Sequence, residues 1–198
     1  YWKVAPPVFR KVVRGLLLFA LFNSSDIFLL LITKETIGEQ TLSVMGATFN
    51  ADTITIAAYI FYNLVYAVAS YPMGVLADRF SHRKLIITGL ILFAIVYGGF
   101  AFNPSVLVIF ILFAIYGIYA AATEGVIKAW ITNLAHKENT ATAIGFYTSC
   151  ESICALFASI LAGALWANFG SASTFIITSA ISLVVGLYFI FCIRGKNS

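Results

Sequence analysis

Six long apolar runs constrain this chain more than any other feature. They cover residues 12–33, 54–76, 85–102, 104–134, 140–169 and 174–193. A helix needs about 20 apolar residues to cross the roughly 30 Å hydrocarbon core of a bilayer, so each run is a candidate span. Helix is the expected form, because inside lipid every backbone N–H and C=O must find a partner within its own segment. The fourth and fifth runs exceed the minimum and are expected to tilt or protrude. Asn103-Pro104 reads as an N-cap followed by a first-turn proline that opens the fourth helix. Composition closes the other routes: of 198 residues, 61% are hydrophobic and only 10% charged. A soluble domain carries about 25% charged residues, and a disordered chain cannot carry this much apolar mass. The expected fold is all-α, a polytopic membrane bundle of six transmembrane helices in a single domain over residues 1–198.

Charge placement orients the bundle. Outside the runs or in their first turn, one side holds Lys3, Arg10, Lys11, Arg14, Arg79, Arg83, Lys84, Lys137, Arg194 and Lys196, and the other holds Lys34 alone. By the positive-inside rule both termini face the cytoplasm, in agreement with an even number of spans. The same pattern excludes a nucleic-acid patch. The first run is too long for a signal peptide and contains Asp26. Three cysteines within apolar stretches imply no disulfide framework.

Polar residues then sort the spans. Asn23 and Asp26 share a face of the first. Tyr59, Tyr62, Asn63, Tyr66 and Ser70 form a stripe on the second. Tyr116, Tyr119, Thr123, Glu124 and Lys128 do so on the fourth, and Tyr147, Thr148, Glu151, Ser152 and Ser159 on the fifth. The third has only Thr88 and Tyr97, and the sixth only hydroxyls at Thr174, Thr178 and Ser182. Spans one, two, four and five are therefore expected to line a shared polar cavity, with three and six peripheral. Its walls would include Asn23, Tyr59, Tyr62, Asn63, Tyr116, Tyr119 and Tyr147. Single hydroxyls often bond back to their own helix, but that does not account for four aligned stripes.

The charges inside the runs are the candidate working groups. A charge at the bilayer centre costs roughly 2.5–3.5 kcal/mol on insertion scales, so each needs a partner or water. Glu124 and Lys128 are four apart in the favourable order and are expected to pair along one helix. Asp26 and Glu151 have no partner close in sequence. A carboxylate in a low-dielectric site holds its proton more tightly. Asp26, Glu124, Lys128 and Glu151 are thus the candidates for substrate binding or ion coupling. Gly117, Ala121 and Gly125, and Ser159 with Gly163, have the four-residue spacing that lets helix backbones approach closely.

The most specific motif is Gly74-Val75-Leu76-Ala77-Asp78-Arg79-Phe80-Ser81-His82-Arg83-Lys84, between the second and third runs. It resembles motif A of the major facilitator superfamily, G-x-L-[AG]-D-R-x-G-R-[RK], matching at Gly74, Leu76, Asp78, Arg79 and Arg83. Ser81 replaces the usual glycine and His82 the usual arginine, departures expected to weaken the turn and the charge cluster. They are common in the second copy of the motif, between helices eight and nine of the family. Leu18 to Lys34, with Asn23-Ser24-Ser25-Asp26, looks like the seventh helix, and Thr123-Glu124-Gly125 and Gly145-Phe146-Tyr147 look like the tenth and eleventh. The resemblance is to the C-terminal six-helix half.

It implies two inverted three-helix repeats, a bacterial inner-membrane protein, and secondary active transport of a small solute by alternating access. Symport or antiport, possible proton coupling, and a second six-helix bundle (an N-terminal half or a second copy) are implied with it. Gly74, Asp78, Arg79 and Arg83 would form a cytoplasmic latch that switches with conformation. The competing reading is an isolated structural module, or a half-size transporter that moves substrate only with a second bundle. An intramembrane enzyme is disfavoured: the runs hold no Ser/His pair, no His-Glu zinc motif and no P-loop. No cofactor or metal is expected.

Overall fold

The computed structural model describes residues 1–38, 42–44 and 47–193. Helix α1 spans Pro7–Ala20 and α2 spans Ile27–Ile37. A small hairpin follows, β1 (Leu42–Val44) and β2 (Ala47–Phe49), antiparallel with Ser43 opposite Thr48. Then come α3 (Ala51–Arg79), α4 (His82–Phe100), α5 (Val106–Leu134), a 3-10 turn (Lys137–Asn139) and α6 (Thr140–Cys192). Among the described residues, four helices are long and apolar enough to cross a membrane: α3, α4, α5 and α6. The architecture is all-α apart from the hairpin. Arg194 and Lys196, part of the expected cytoplasmic charge, lie outside the described residues.

The first apolar run is not one helix, as its hydropathy predicts. α1 stops at Ala20, the N–H groups of Phe22 and Asn23 both turn back to the Phe19 carbonyl, and helix resumes at Ile27. The cause lies in Asn23-Ser24-Ser25-Asp26. Short polar side chains offer the backbone alternatives to helix; here the Ser25 hydroxyl accepts from the Ile27 N–H at 3.4 Å.

The fifth and sixth runs join more tightly than expected. Only Gly170 leaves helical geometry, at φ 82° and ψ 167°, dividing α6 into arms 140–169 and 171–192. A straight helix of 53 residues would reach about 80 Å. The break instead lets the second arm pack on α4, where Ser179 donates to the Ala94 carbonyl (2.7 Å) and Ser182 to the Leu90 carbonyl (2.9 Å).

Other boundaries also shift. Asn103 is not the N-cap of α5; it takes a left-handed φ of 48°, and Ser105 stands at the cap position. α3 and α4 extend into the motif, so the stretch between the second and third runs, residues 77–84, shrinks to a connection of Phe80 and Ser81. Ser81 is the N-cap of α4, its hydroxyl accepting from the Lys84 N–H at 3.4 Å with the backbone extended. A serine suits that position better than the expected glycine. α3 opens on the same logic: Asn50 Oδ1 accepts from the Thr53 N–H at 2.9 Å.

The buried core lies where α1, α4, α5 and the second arm of α6 meet. Phe9, Phe93, Phe100, Phe113, Phe175 and Phe189 are sealed there with Tyr97 and Trp130. α3 packs mainly on α5. That crossing is close because Gly117 has no side chain; a Cβ there would lie 2.9 Å from the Tyr62 carbonyl oxygen and 3.0 Å from the Tyr66 nitrogen. Gly125 and Gly163 make no such approach, with nothing within 4 Å of the Cβ position. The small-residue spacing therefore marks one backbone crossing, not three.

Candidate functional site

A cavity of about 300 Å³ opens between the α1–α2 break, α5 and the first arm of α6. Apolar walls come from α1, at Leu16, Phe19 and Ala20. The break contributes Asn23, Ser24 and Asp26, and α3 contributes Tyr62. α5 supplies Tyr116, Tyr119, Thr123, Glu124 and Lys128; α6 supplies Tyr147 and Glu151. α4 and the second arm of α6 contribute nothing. The four charged candidates, scattered over more than 120 positions, are thus brought to one space.

The unwound segment matters to this geometry. Residues 21–26 leave the helix at the level of Tyr116, and the Tyr116 hydroxyl donates to Asp26 Oδ1 at 2.6 Å. Two further carboxylates are held in the same way. Tyr66 donates to Glu124 Oε2 at 2.8 Å, across the α3–α5 contact. Tyr147 donates to Glu151 Oε1 at 2.7 Å, one turn along the same helix. Each acid is therefore fixed at one oxygen by one phenol. Hydrogen bonds to an ionised acceptor are the stronger kind.

This differs from the sequence expectation at two places. Glu124 and Lys128 do not pair; among the described residues the only ion pair is Lys34–Asp52, at 2.7 Å and outside the apolar runs. Tyr66 reaches Glu124 across the helix contact and takes the place assigned to Lys128. Glu151 does have a partner close in sequence, in Tyr147. The aromatic walls are themselves in contact: Tyr62 and Tyr116 ring centres are 5.0 Å apart, and Tyr116 and Tyr119 are stacked at 5.3 Å.

Two expected wall residues lie elsewhere. Asn63 is exposed on α3, its amide donating to the Tyr59 carbonyl of its own helix at 2.8 Å. Tyr59 packs on Tyr62 with ring centres 5.5 Å apart and does not line the cavity. Tyr66, Ser24 and Thr123 were not singled out as site residues. Tyr66 carried a usable signal, one helical turn beyond Tyr62 on the same stripe.

A second concavity of about 410 Å³ lies between α3 and α5, lined by Tyr66, Ser70, Gly74, Asp78, His82 and Gly125 among others. It brings together part of the expected switch. Gly74 and Asp78 face this space, and Arg79 is exposed at the end of α3. Arg83 does something else. Its guanidinium donates to the carbonyls of Phe189 (2.9 Å) and Ile190 (2.7 Å), holding the far end of α6 against the start of α4. A cation among the last carbonyls of a helix complements its dipole.

Comparison with known proteins accords with this architecture. The family model described as Major Facilitator Superfamily matches residues 14–198. The chain is 33% identical over 176 residues to a protein named as an uncharacterized MFS-type transporter in Methanocaldococcus jannaschii, covering 88% of this chain and 42% of that protein. It is 30% identical over 137 residues to a protein named as an uncharacterized transporter in Buchnera aphidicola, covering 69% of this chain and 34% of the relative. The chain thus spans less than half the length of these curated relatives. With the family model covering nearly all of it, the chain belongs to the Major Facilitator Superfamily.

Proposed function

We propose that this chain is one six-helix half of a secondary transporter that moves a small solute across a bilayer by alternating access. In this reading the six spans are the broken α1–α2 pair, α3, α4, α5 and the two arms of α6. The first three and the last three form the two inverted repeats. Both termini lie on the cytoplasmic side of a bacterial inner membrane. The N-terminal six-helix half supplies the other wall of the site.

One observation carries the proposal: the cavity gathers Asp26, Glu124, Lys128 and Glu151 among otherwise apolar helices. Charges within membrane-spanning segments are costly, and they mark substrate or ion pathways by default. Asp26 and Glu151 are the proposed coupling carboxylates, with the tyrosine hydroxyls orienting them. Energy would come from an ion gradient, as symport or antiport, with protons the simplest coupling ion. Asp78 and Arg79 are the proposed latch toward the other half. Arg83 is already engaged with α6, so its share in the latch is to fix the α4 start.

The test is transport by the intact protein in proteoliposomes, with an imposed pH gradient. Asp26→Asn and Glu151→Gln keep the shape of each side chain and remove its titration. At least one is expected to lower gradient-driven flux tenfold or more and to flatten its pH dependence. Unchanged pH dependence in both variants would sink proton coupling through these groups. Glu124→Gln is expected to act on affinity, since Glu124 stands apart from the break.

A further inference from the structure

We propose that the solute is a small organic cation bearing N–H donors and an apolar or aromatic body, a proposal that rests on the cavity being the substrate site. Three observations converge on this class. The first is charge: three carboxylates line the space against one ammonium, Lys128. A surplus of negative charge in a cleft favours a cation and disfavours an anion.

The second is the hydrogen-bond balance. Each acid is tied at one oxygen by a tyrosine. Among the described residues, Asp26 Oδ2, Glu124 Oε1 and Glu151 Oε2 accept no hydrogen bond. A free carboxylate oxygen forms a charge-assisted bond with a ligand N–H, so a ligand that donates is favoured over one that does not. The hydroxyls of Tyr116 and Tyr147 are spent on the acids and are not offered to a ligand. A primary amine or a guanidinium fits; a quaternary ammonium, which has no N–H, leaves the free carboxylate oxygens without a donor.

The third is the wall itself. Tyr62, Tyr116 and Tyr119 present contiguous rings, with Phe19 beside them. Aromatic faces attract cations and pack apolar bodies. A volume of about 300 Å³ sits at the small end of the range for ligand pockets.

The test is equilibrium binding to the intact protein in lipid nanodiscs, with three probes of one shape. They are phenethylamine, its N,N,N-trimethyl derivative and 3-phenylpropionate. Phenethylamine is expected to bind at least tenfold more tightly than phenylpropionate. Asp26→Asn and Glu151→Gln are each expected to weaken it about tenfold. The trimethyl probe, which has no N–H for the free carboxylate oxygens, is expected to bind several-fold more weakly than phenethylamine. Thermal melts identify variants that fail to fold, and the ranking of probes on the unaltered protein is independent of any variant. Tighter binding of phenylpropionate, equal binding of all three, or binding of none overturns the cation class. If phenylpropionate wins and Lys128→Ala abolishes its binding, the cavity stays a ligand site and only its charge preference falls. If phenethylamine binds as expected but no cavity variant alters flux, the cation site stands and the transport reading falls.

Discussion

Single residues carry most of what can be said about the cavity. The carboxylates were legible in the sequence, because an acid within a 20-residue apolar run has few bland explanations. Their partners were not. Tyr116 and Asp26 are 90 positions apart, and Tyr66 and Glu124 are 58 apart. Only the fold brings such pairs together, and a tyrosine in a membrane helix reads equally well as packing. The i, i+4 rule favoured Glu124 with Lys128, yet a phenol on the neighbouring helix holds the acid. The Tyr116 bond has a measurable consequence. Tyr116→Phe keeps the ring and its contact with Tyr62 but removes the donor to Asp26. A hydrogen bond to a charged group contributes about 1.5–3 kcal/mol. The expected outcome is a flux lowered roughly tenfold or more in the intact protein, together with a fall of several degrees in melting temperature. Tyr59→Phe, outside the cavity, is the matched control and should leave flux intact. Equal effects of the two substitutions would show that the tyrosine acids are held by something else.

At the scale of the elements, hydropathy located the helices and missed their interruptions. A sliding apolar run averages over Asn23-Ser24-Ser25-Asp26 and over Gly170, since neither lowers hydrophobicity enough to end a span. What breaks the helix is backbone chemistry: competing side-chain hydrogen bonds in one case, and a left-handed glycine in the other. The hairpin of β1 and β2 was missed because three-residue strands have no readable period. Small-residue spacing was likewise ambiguous, since the same interval marks Gly117, which touches α3, and Gly163, which touches nothing. Substitution separates these cases. Gly117→Val drives methyl groups into the α3 backbone, and overpacking of this kind costs about 1–3 kcal/mol. Gly170→Ala forces a side chain into a region that glycine alone occupies readily, at a cost of order 1–3 kcal/mol. Gly163→Ala has open space and ordinary helical geometry, where alanine is favoured by up to about 1 kcal/mol. The apparent melting temperature in detergent is expected to fall for the first two and to hold or rise for the third. A Gly117→Val protein as stable as the parent would mean that α3 is not seated on α5 as described.

The whole molecule presents two kinds of surface, and they make opposite demands. On α3, Ile56, Ile60, Leu64 and Val68 are each at least 60% exposed along one outer face. Ile153, Leu156, Phe157 and Ile160 form a similar face on the first arm of α6, each more than half exposed. Such faces suit lipid or another apolar helix. Glu124 and Lys128 are also exposed in the isolated chain, but at the mouth of the polar cavity. Lipid cannot cover that mouth without several kcal/mol of unfavourable charge burial. Water or protein must cover it instead. The exposed charges at the cavity mouth are what the proposed second bundle, closing over α5 and the first arm of α6, would cover. The prediction is quantitative in sense. Expressed alone and reconstituted, these 198 residues should bind to membranes and melt cooperatively, yet show no gradient-driven flux. Co-expression with the proposed second six-helix bundle should restore flux. It should also protect a cysteine introduced at Lys128 from a membrane-impermeant thiol reagent in at least one conformational state, with the chain's own three cysteines replaced beforehand. Flux from the chain as a homodimer would replace the second half by a second copy, and cross-linking at the same position would then join two identical chains.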